Sequence, residues 1–143
     1  MVDDDKVDDE IRDDHFARAS EAARDLMFLR ATSPAYKALL RAAQVMFDKD
    51  GTDVRVQGFS GPQPDPVLGL APCMTVKTDK RLILIEVATN AMMKNAHLAE
   101  RLNRLAKAKG AEKWLVVAFD DLMDAEELVR KVETGWRPIV AGG

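Results

Sequence analysis

Glu86 is the residue in this sequence whose position most needs a chemical explanation. It lies inside the stretch 81–90, a run rich in branched apolar residues. A carboxylate in such a run is costly to bury unless it is paired, protonated or bound to a cation. Asp65 is the one obvious partner carboxylate. A β-hairpin predicted for residues 74–87 would bring the loop that holds Asp65 back towards Glu86. The sequence therefore leaves two interpretations open, an ion pair with a nearby arginine or lysine and a cation site.

The elements that would position these acids follow from the hydrophobic pattern. A continuous run of Leu, Ile and Val is typical of a strand that is covered on both faces in an α/β sheet. The polar residues 78–80 separate the strand-like runs 74–77 and 82–87, which predicts a β-hairpin. Further strands are predicted at residues 54–59, 113–119 and 137–141.

Apolar residues at helical spacing predict the helices. One helix should begin with Ser33 as its N-cap and Pro34 at its first position. The longest should run unbroken through residues 91–109, with Asn90 as its N-cap and Gly110 after its end. The predicted helices span residues 16–30, 34–47, 91–109 and 124–133.

The longest predicted helix carries a basic face beside its apolar stripe. At about 100° per residue, four side chains fall together on this face: Lys94, His97, Arg101 and Arg104. A solvated charged surface is one interpretation. Because the helix directly follows the strand that carries Glu86, a surface that contacts nucleic-acid phosphates is the other.

Length and composition predict one globular domain behind a charged tail. The chain has 143 residues, of which 47% are hydrophobic and 31% are charged. Residues 1–14 hold eight acidic and two basic residues, so residues 15–143 keep 19 basic and 16 acidic residues, a net charge of +3. We expect a disordered acidic tail over residues 1–14 and a single α/β domain over residues 15–143.

Other classes of protein are disfavoured by composition. The sequence has no apolar span of about 18 residues and no secretion signal, so we expect a cytoplasmic protein without a membrane partner. Cys73 is the single cysteine and the chain has two histidines. This excludes an internal disulfide and a zinc site built from Cys and His, and we expect Cys73 to be a small core residue.

The predicted order of elements is helix, three strands, helix and strand. With Pro64-Asp65 and Ile85-Glu86-Val87-Ala88 in this order, residues 36–119 resemble the PD-(D/E)XK nuclease superfamily, which includes restriction enzymes and Holliday junction resolvases. The resemblance implies a mixed central β-sheet flanked by helices, with an αβββαβ core. An N-terminal helix and a C-terminal helix and strand would extend this core.

The resemblance also implies a Mg²⁺ site. Asp65 and Glu86 would be the metal ligands, and Val87 would contribute its carbonyl. Ala88 stands where the family places a lysine, so the ammonium that supports the attacking water would come from Lys94 or Lys77. Mg²⁺ takes hard oxygen ligands, keeps several waters and binds the phosphate to be cleaved.

The function that the resemblance implies is nucleic-acid binding, with DNA as the expected partner, and Mg²⁺-dependent cleavage of phosphodiester bonds. The residues expected to contact phosphates are Lys94, His97, Arg101 and Arg104. Ala88 motivates an alternative, a catalytically inactive nuclease-fold module that acts as a protein-interaction or regulatory subunit. A third possibility is an unrelated α/β interaction domain in which Glu86 is paired with a basic residue. The family also implies a homodimer or a larger complex.

Overall fold

The computed structural model describes residues 21–59, 61–132 and 135–141. Over these residues the chain forms a five-stranded mixed sheet flanked by helices. The helices are α1, described over residues 21–32, α2 (Pro34–Phe47), α3 (Asn90–Met93), α4 (Ala96–Ala106) and α5 (Leu122–Lys131), with a 3₁₀ turn at Phe119–Asp121. The strands are β1 (Asp53–Val56), β2 (Met74–Lys77), β3 (Leu82–Val87), β4 (Glu112–Val117) and β5 (Trp136–Val140).

The sheet has the strand order β1-β2-β3-β4-β5. The first three strands are antiparallel to one another, whereas β4 runs parallel to β3 and β5 runs parallel to β4. The predicted mixed α/β class and the predicted β2–β3 hairpin are confirmed. β3 is the central strand, which explains its nearly continuous apolar sequence, because both of its faces are covered.

Helices cover both faces of the sheet. Phe47 of α2 packs edge-on against Trp114 of β4, with the ring centroids 5.2 Å apart. On β5, Trp136 donates its indole N–H to the carbonyl of Leu102 in α4, at 2.8 Å. Trp136 pairs with Lys113, the neighbour of Trp114, and successive strand residues point to opposite faces. Helices α2 and α4 therefore lie on opposite sides of the sheet.

The start of α2 agrees with the prediction. Ser33 is the N-cap, and its hydroxyl oxygen accepts a hydrogen bond from the backbone N–H of Tyr36 at 3.1 Å. Pro34 occupies the first helical position, where its missing N–H costs nothing. The predicted bounds 34–47 are confirmed.

The prediction of one unbroken helix over residues 91–109 is wrong. Asn95 has an extended backbone and divides the segment into α3 and α4. Its side-chain oxygen accepts from the N–H of His97 at 2.8 Å, and its amide group donates to the carbonyl of Ala22 at 3.0 Å. Asn95 thus caps α4 and ties its start to α1, and α4 ends at Ala106, before the turn that contains Gly110.

The other differences lie at element ends. The first strand stops at Val56, because the chain then turns at Gly58, whose φ is +82° and whose N–H donates to the side-chain oxygen of Gln63. The last helix starts at Leu122, earlier than predicted, because a 3₁₀ turn leads into it. The final strand is confirmed as an edge strand, where Pro138 is tolerated.

Some expectations fall on undescribed residues. The predicted acidic tail, residues 1–14, and the start of the first predicted helix, residues 16–20, lie outside the described residues. None of the helices in the described ranges is long and apolar enough to cross a membrane.

Candidate functional site

Glu86 lies near the end of β3, and its side chain is fully buried. One carboxylate oxygen, Oε1, accepts a hydrogen bond from Nε of Arg101 at 2.6 Å. The other, Oε2, accepts from the backbone N–H of Cys73 at 2.9 Å. Nη2 of Arg30 lies 3.6 Å from Oε1. Both oxygens of Glu86 therefore have protein donors, and two arginines surround a single carboxylate.

Three elements bring these donors to the end of β3. Arg101 lies on the inner face of α4, between the buried residues Leu98 and Leu102. Its Nη2 also donates to the carbonyl of Ala71 at 2.7 Å, so the same guanidinium holds the segment that precedes β2. Cys73 lies directly before β2, where the antiparallel register places it beside the end of β3. The ion pair thus links a helix, a strand and a loop.

The electrostatics keep this carboxylate charged. Burial acts to raise the pKa of Glu86, but the charges of Arg101 and Arg30 and the hydrogen bonds outweigh burial and hold the pKa below its ordinary value. For Arg30, burial acts to lower the pKa, and the interactions with Cys73 and Glu86 outweigh it, so the pKa is raised. Glu86 and Arg30 therefore both remain ionised at neutral pH.

A thiol and a phenol lie beside this ion pair. Together the five residues form a buried polar network, the Glu86 network: Arg30, Tyr36, Cys73, Glu86 and Arg101. The hydroxyl of Tyr36 donates to Sγ of Cys73 at 3.3 Å. Burial is the main cause that raises the pKa of Cys73, to about 11, and burial also raises the pKa of Tyr36. Both groups are therefore neutral at physiological pH, and the expectation that Cys73 is a core residue agrees with its complete burial.

Arg30 is the least satisfied member of the network. Its guanidinium lies 5.9 Å from the centre of the Tyr36 ring. Its Nε and Nη2 atoms are buried and have no hydrogen-bond partner. Buried polar groups are almost always paired, so these two nitrogens are unusual, and the charge of Glu86 and the ring of Tyr36 are the neighbours that stabilise this end of Arg30.

Asp65 has a different environment from Glu86. Its side chain is 89% exposed, and Oδ1 lies 3.8 Å from Nη1 of Arg55 on β1. Arg55 also donates through Nε to Asp53 at 3.2 Å. The two acids that the resemblance implies as metal ligands thus have different cationic partners. Among the described residues, no group of three or more His, Cys, Asp or Glu side chains could hold a metal ion.

The four predicted phosphate contacts do not form one continuous basic face. Arg101 points inward to Glu86 and is buried. Lys94 is exposed at the junction between α3 and α4, and Arg104 is exposed in the last turn of α4. His97 is partly buried, with Nδ1 3.4 Å from Oε2 of Glu100.

Ala88 and Val87 are both fully buried at the end of β3. The backbone N–H of Ala88 donates to the carbonyl of Val116 at 3.1 Å, which extends the parallel pairing of β3 with β4. The carbonyl oxygen of Val87 lies 4.0 Å from Sγ of Cys73. The position at which the family has a lysine is therefore part of the core.

The chain matches no known family model, no curated protein and no solved structure.

A cavity of about 430 Å³ opens beside the network. Its apolar wall includes Leu26, Met27, Ala31 and Leu70. Its polar wall includes Arg30, Tyr36, Gln57, His97 and Arg101. Sequence reasoning missed this cavity and the roles of Arg30 and Tyr36. Arg30 is 56 positions from Glu86 along the chain, and no local pattern indicates that the two side chains meet.

Proposed function

We propose that this chain is a catalytically inactive module with a nuclease-like order of elements, which acts as a protein-interaction or regulatory subunit. The buried pairing of Glu86 with Arg101 carries the proposal. A metal-dependent nuclease needs carboxylate oxygens that face both a cation and a phosphate. In this chain the corresponding oxygens accept hydrogen bonds from Arg101 and from the backbone of Cys73.

The position of Ala88 gives the proposal a second support. An ammonium near the reacting phosphate stabilises developing charge, and losing such a group costs several kcal/mol of transition-state stabilisation in comparable sites, about 3 to 4. Ala88 has no such group and is completely buried. Lys94, which could supply an ammonium instead, is exposed between α3 and α4 and lines a different cavity from the one that Arg101 lines.

Exposed apolar side chains support an interaction role. Phe119 and Met123 are 77% and 81% exposed, and they are four positions apart, Phe119 in the 3₁₀ turn and Met123 in the first turn of α5. Met27 and Phe28 form a second exposed pair, on α1. Single exposed apolar residues are ordinary, whereas contiguous exposed apolar patches mark surfaces that contact other molecules, and we infer that Phe119 and Met123 belong to such a patch.

Titration of the purified chain with Mn²⁺, followed by calorimetry, tests the inactive character. We expect no saturable heat, and no cleavage of plasmid, single-stranded or branched DNA in the presence of Mg²⁺ or Mn²⁺. Asp65→Asn is the informative variant, because Asp65 is exposed and its loss leaves the core unchanged. Saturable Mn²⁺ binding that disappears in Asp65→Asn would contradict the proposal.

The interaction role needs a separate experiment. We expect a tagged chain purified from its native host to carry a partner in fixed stoichiometry, measured by native mass spectrometry. Phe119→Glu should abolish this complex, because a charge would be buried at the contact. Val45→Glu is the matched control, since Val45 is equally exposed but lies on α2. A complex that survives Phe119→Glu would remove the Phe119 and Met123 surface from the proposal.

The Mg²⁺-dependent endonuclease remains the second candidate. The order of elements from α2 to β4 favours it, as does a carboxylate at the end of the central strand. In this candidate Glu86 would exchange Arg101 for Mg²⁺, with Asp65 and Val87 as the other ligands. Lys94, His97 and Arg104 would contact DNA. The Mn²⁺ titration and the cleavage assay separate the two candidates.

A further inference from the structure

The cavity beside the Glu86 network has the composition of a small-molecule site. Ligand pockets in proteins are usually several hundred Å³ in volume, with apolar walls and a few converging polar groups. This cavity of about 430 Å³ has Leu26, Met27 and Leu70 in its apolar wall, and Arg30 and Arg101 in its polar wall. It lies where α1 and α4 approach each other, and α2 also contributes to it through Tyr36.

The polar wall carries an excess positive charge. Arg30 and Arg101 face one carboxylate, Glu86, so the three groups together have a net charge of +1. Arg101 donates through Nε to Glu86 and through Nη2 to the carbonyl of Ala71. Arg30 makes no comparable bonds through Nε or Nη2, so its charge is the one that the network does not balance. Such an unbalanced cation attracts an anion, and partial burial weakens the screening by solvent.

We infer that this cavity binds a small organic monoanion, a carboxylate with an apolar tail. The carboxylate would lie at the Arg30 end, and the tail would extend along Leu26, Met27 and Leu70. One net positive charge matches one negative charge. A phosphate monoester carries about −1.5 to −2 at neutral pH and would leave excess negative charge beside Glu86. The inference does not depend on the proposed function, because it rests on the cavity alone.

Calorimetric titration of the full chain with three probes tests this inference. Octanoate supplies both the charge and the tail, octan-1-ol supplies the tail alone, and acetate supplies the charge alone. We expect octanoate to bind with an affinity at least about tenfold higher than octan-1-ol, because a charge-assisted hydrogen bond is worth about that factor or more. We expect no measurable binding of acetate, which cannot fill the apolar wall.

Two variants locate the binding. Met27→Glu places a negative charge at the mouth of the cavity, and because Met27 is 69% exposed the fold should tolerate it. We expect octanoate affinity to fall about tenfold or more. Met123→Glu is the matched control, because Met123 is also an exposed helical methionine but lies on α5, outside the cavity. Its octanoate affinity should equal that of the unmodified chain.

Arg30→Gln tests the role of the charge. It removes the unbalanced cation and leaves the pair of Glu86 with Arg101 in place. We expect the preference for octanoate over octan-1-ol to disappear. Circular dichroism should show that each variant is folded before it is titrated.

Four results would overturn the inference. They are absence of octanoate binding, equal affinities for octanoate and octan-1-ol, unchanged octanoate affinity in Met27→Glu, and tighter binding of a synthetic peptide of residues 1–14 in competition with octanoate. The last result would mean that the cavity holds the acidic segment of this chain rather than a small molecule.

Discussion

Glu86 and Asp65 lie in two regions of the molecule that place a carboxylate in opposite environments. Glu86 is buried at the end of β3, with donors on both oxygens and two arginines within 3.6 Å. Asp65 is on an exposed loop, 3.8 Å from an arginine that is also bonded to another acid. The same chemical group is therefore part of the fold in one region and nearly independent of it in the other.

The difference comes from solvation. Water around Asp65 already stabilises its charge, so an exposed pair adds about 0 to 1 kcal/mol. Burial of Glu86 removes that stabilisation, and within the described part of the chain the arginines and the Cys73 N–H replace it. Such a pair need not add much to stability over apolar residues, but the loss of one partner leaves a buried charge without compensation. Substitutions in the two regions should therefore have very different effects.

The largest effect is expected from Glu86→Gln. Glutamine has nearly the same shape, but it leaves Arg30 and Arg101 buried without a countercharge. We expect the free energy of unfolding to fall by about 3 to 5 kcal/mol, measured by urea denaturation. The matched control is Glu127→Gln on α5, where an exposed glutamate pairs with Lys131 and the expected change is below about 0.5 kcal/mol. Equal losses in the two variants would show that burial does not distinguish these acids.

Substitution of Arg101 tests the same ion pair through the partner of Glu86. Arg101→Met should cost about 3 to 5 kcal/mol, because Glu86 would keep its charge in the core, and Arg104→Met, on the exposed face of the same helix, should cost far less. The double variant Glu86→Met/Arg101→Met should lose clearly less than the sum of the single variants, since it removes both charges of this pair and leaves Arg30 alone without a countercharge. Additive losses in urea denaturation would mean that the two residues act separately.

The sequence predicts the helices and strands around Glu86 better than the contacts between them. The β2–β3 hairpin and the cap of α2 were predictable because their signals are local: a polar turn between two apolar runs, and Ser33 before Pro34. Glu86 was also identifiable as an anomaly, since a carboxylate in a buried strand must have a partner. An ion pair was one of its two interpretations from the sequence, and the structure places Glu86 in one.

The partners were not predictable, because they depend on how separate elements pack. Arg101 is 15 residues from Glu86 and falls on the basic face in a helical projection that assumes an unbroken helix. The helix breaks at Asn95, whose amide group contacts the carbonyl of Ala22 on α1. That contact is 73 positions away in the chain, and the break separates Lys94 from His97, Arg101 and Arg104, which all lie within α4. The cap formed by Asn95 itself has a local signal, since asparagine is a preferred N-cap residue.

The stability of the chain should also depend on pH through Glu86. The pKa of Glu86 is lower in the folded chain than in the unfolded chain, where it should be near 4.3. The unfolded state therefore binds more protons in the acid range, and the stabilisation from Glu86 is present above about pH 4.3 and is lost as the pH falls through the folded value. We expect urea unfolding below pH 5 to show a steeper loss of stability with acid in the unmodified chain than in Glu86→Gln. Parallel curves of stability against pH for the unmodified chain and Glu86→Gln would contradict the lowered pKa of Glu86.

A smaller effect is expected where α4 begins. Asn95→Ala removes the acceptor for the His97 N–H and the donor to Ala22, and the loss of an N-cap costs about 1 kcal/mol. Asn95→Asp keeps the cap acceptor but loses the donor, so it should recover most of the stability. Thermal unfolding of the unmodified chain and of the two variants measures their order of stability. If Asn95→Asp is as unstable as Asn95→Ala, the contact with Ala22, and not the cap, is the interaction that positions α4.

The smallest effect is expected from Asp65→Asn. The carboxylate is 89% exposed and 3.8 Å from Arg55, a distance too long for a hydrogen bond, and Arg55 keeps its bond to Asp53 in the variant. We expect a change in unfolding free energy below about 0.5 kcal/mol at low salt, and no detectable change in 1 M NaCl, where surface charges are screened over about 3 Å. A loss above about 1 kcal/mol that persists at high salt would mean that Asp65 is as much a part of the fold as Glu86. Because the fold does not need Asp65, any function lost with it would have to come from what its exposed oxygens bind.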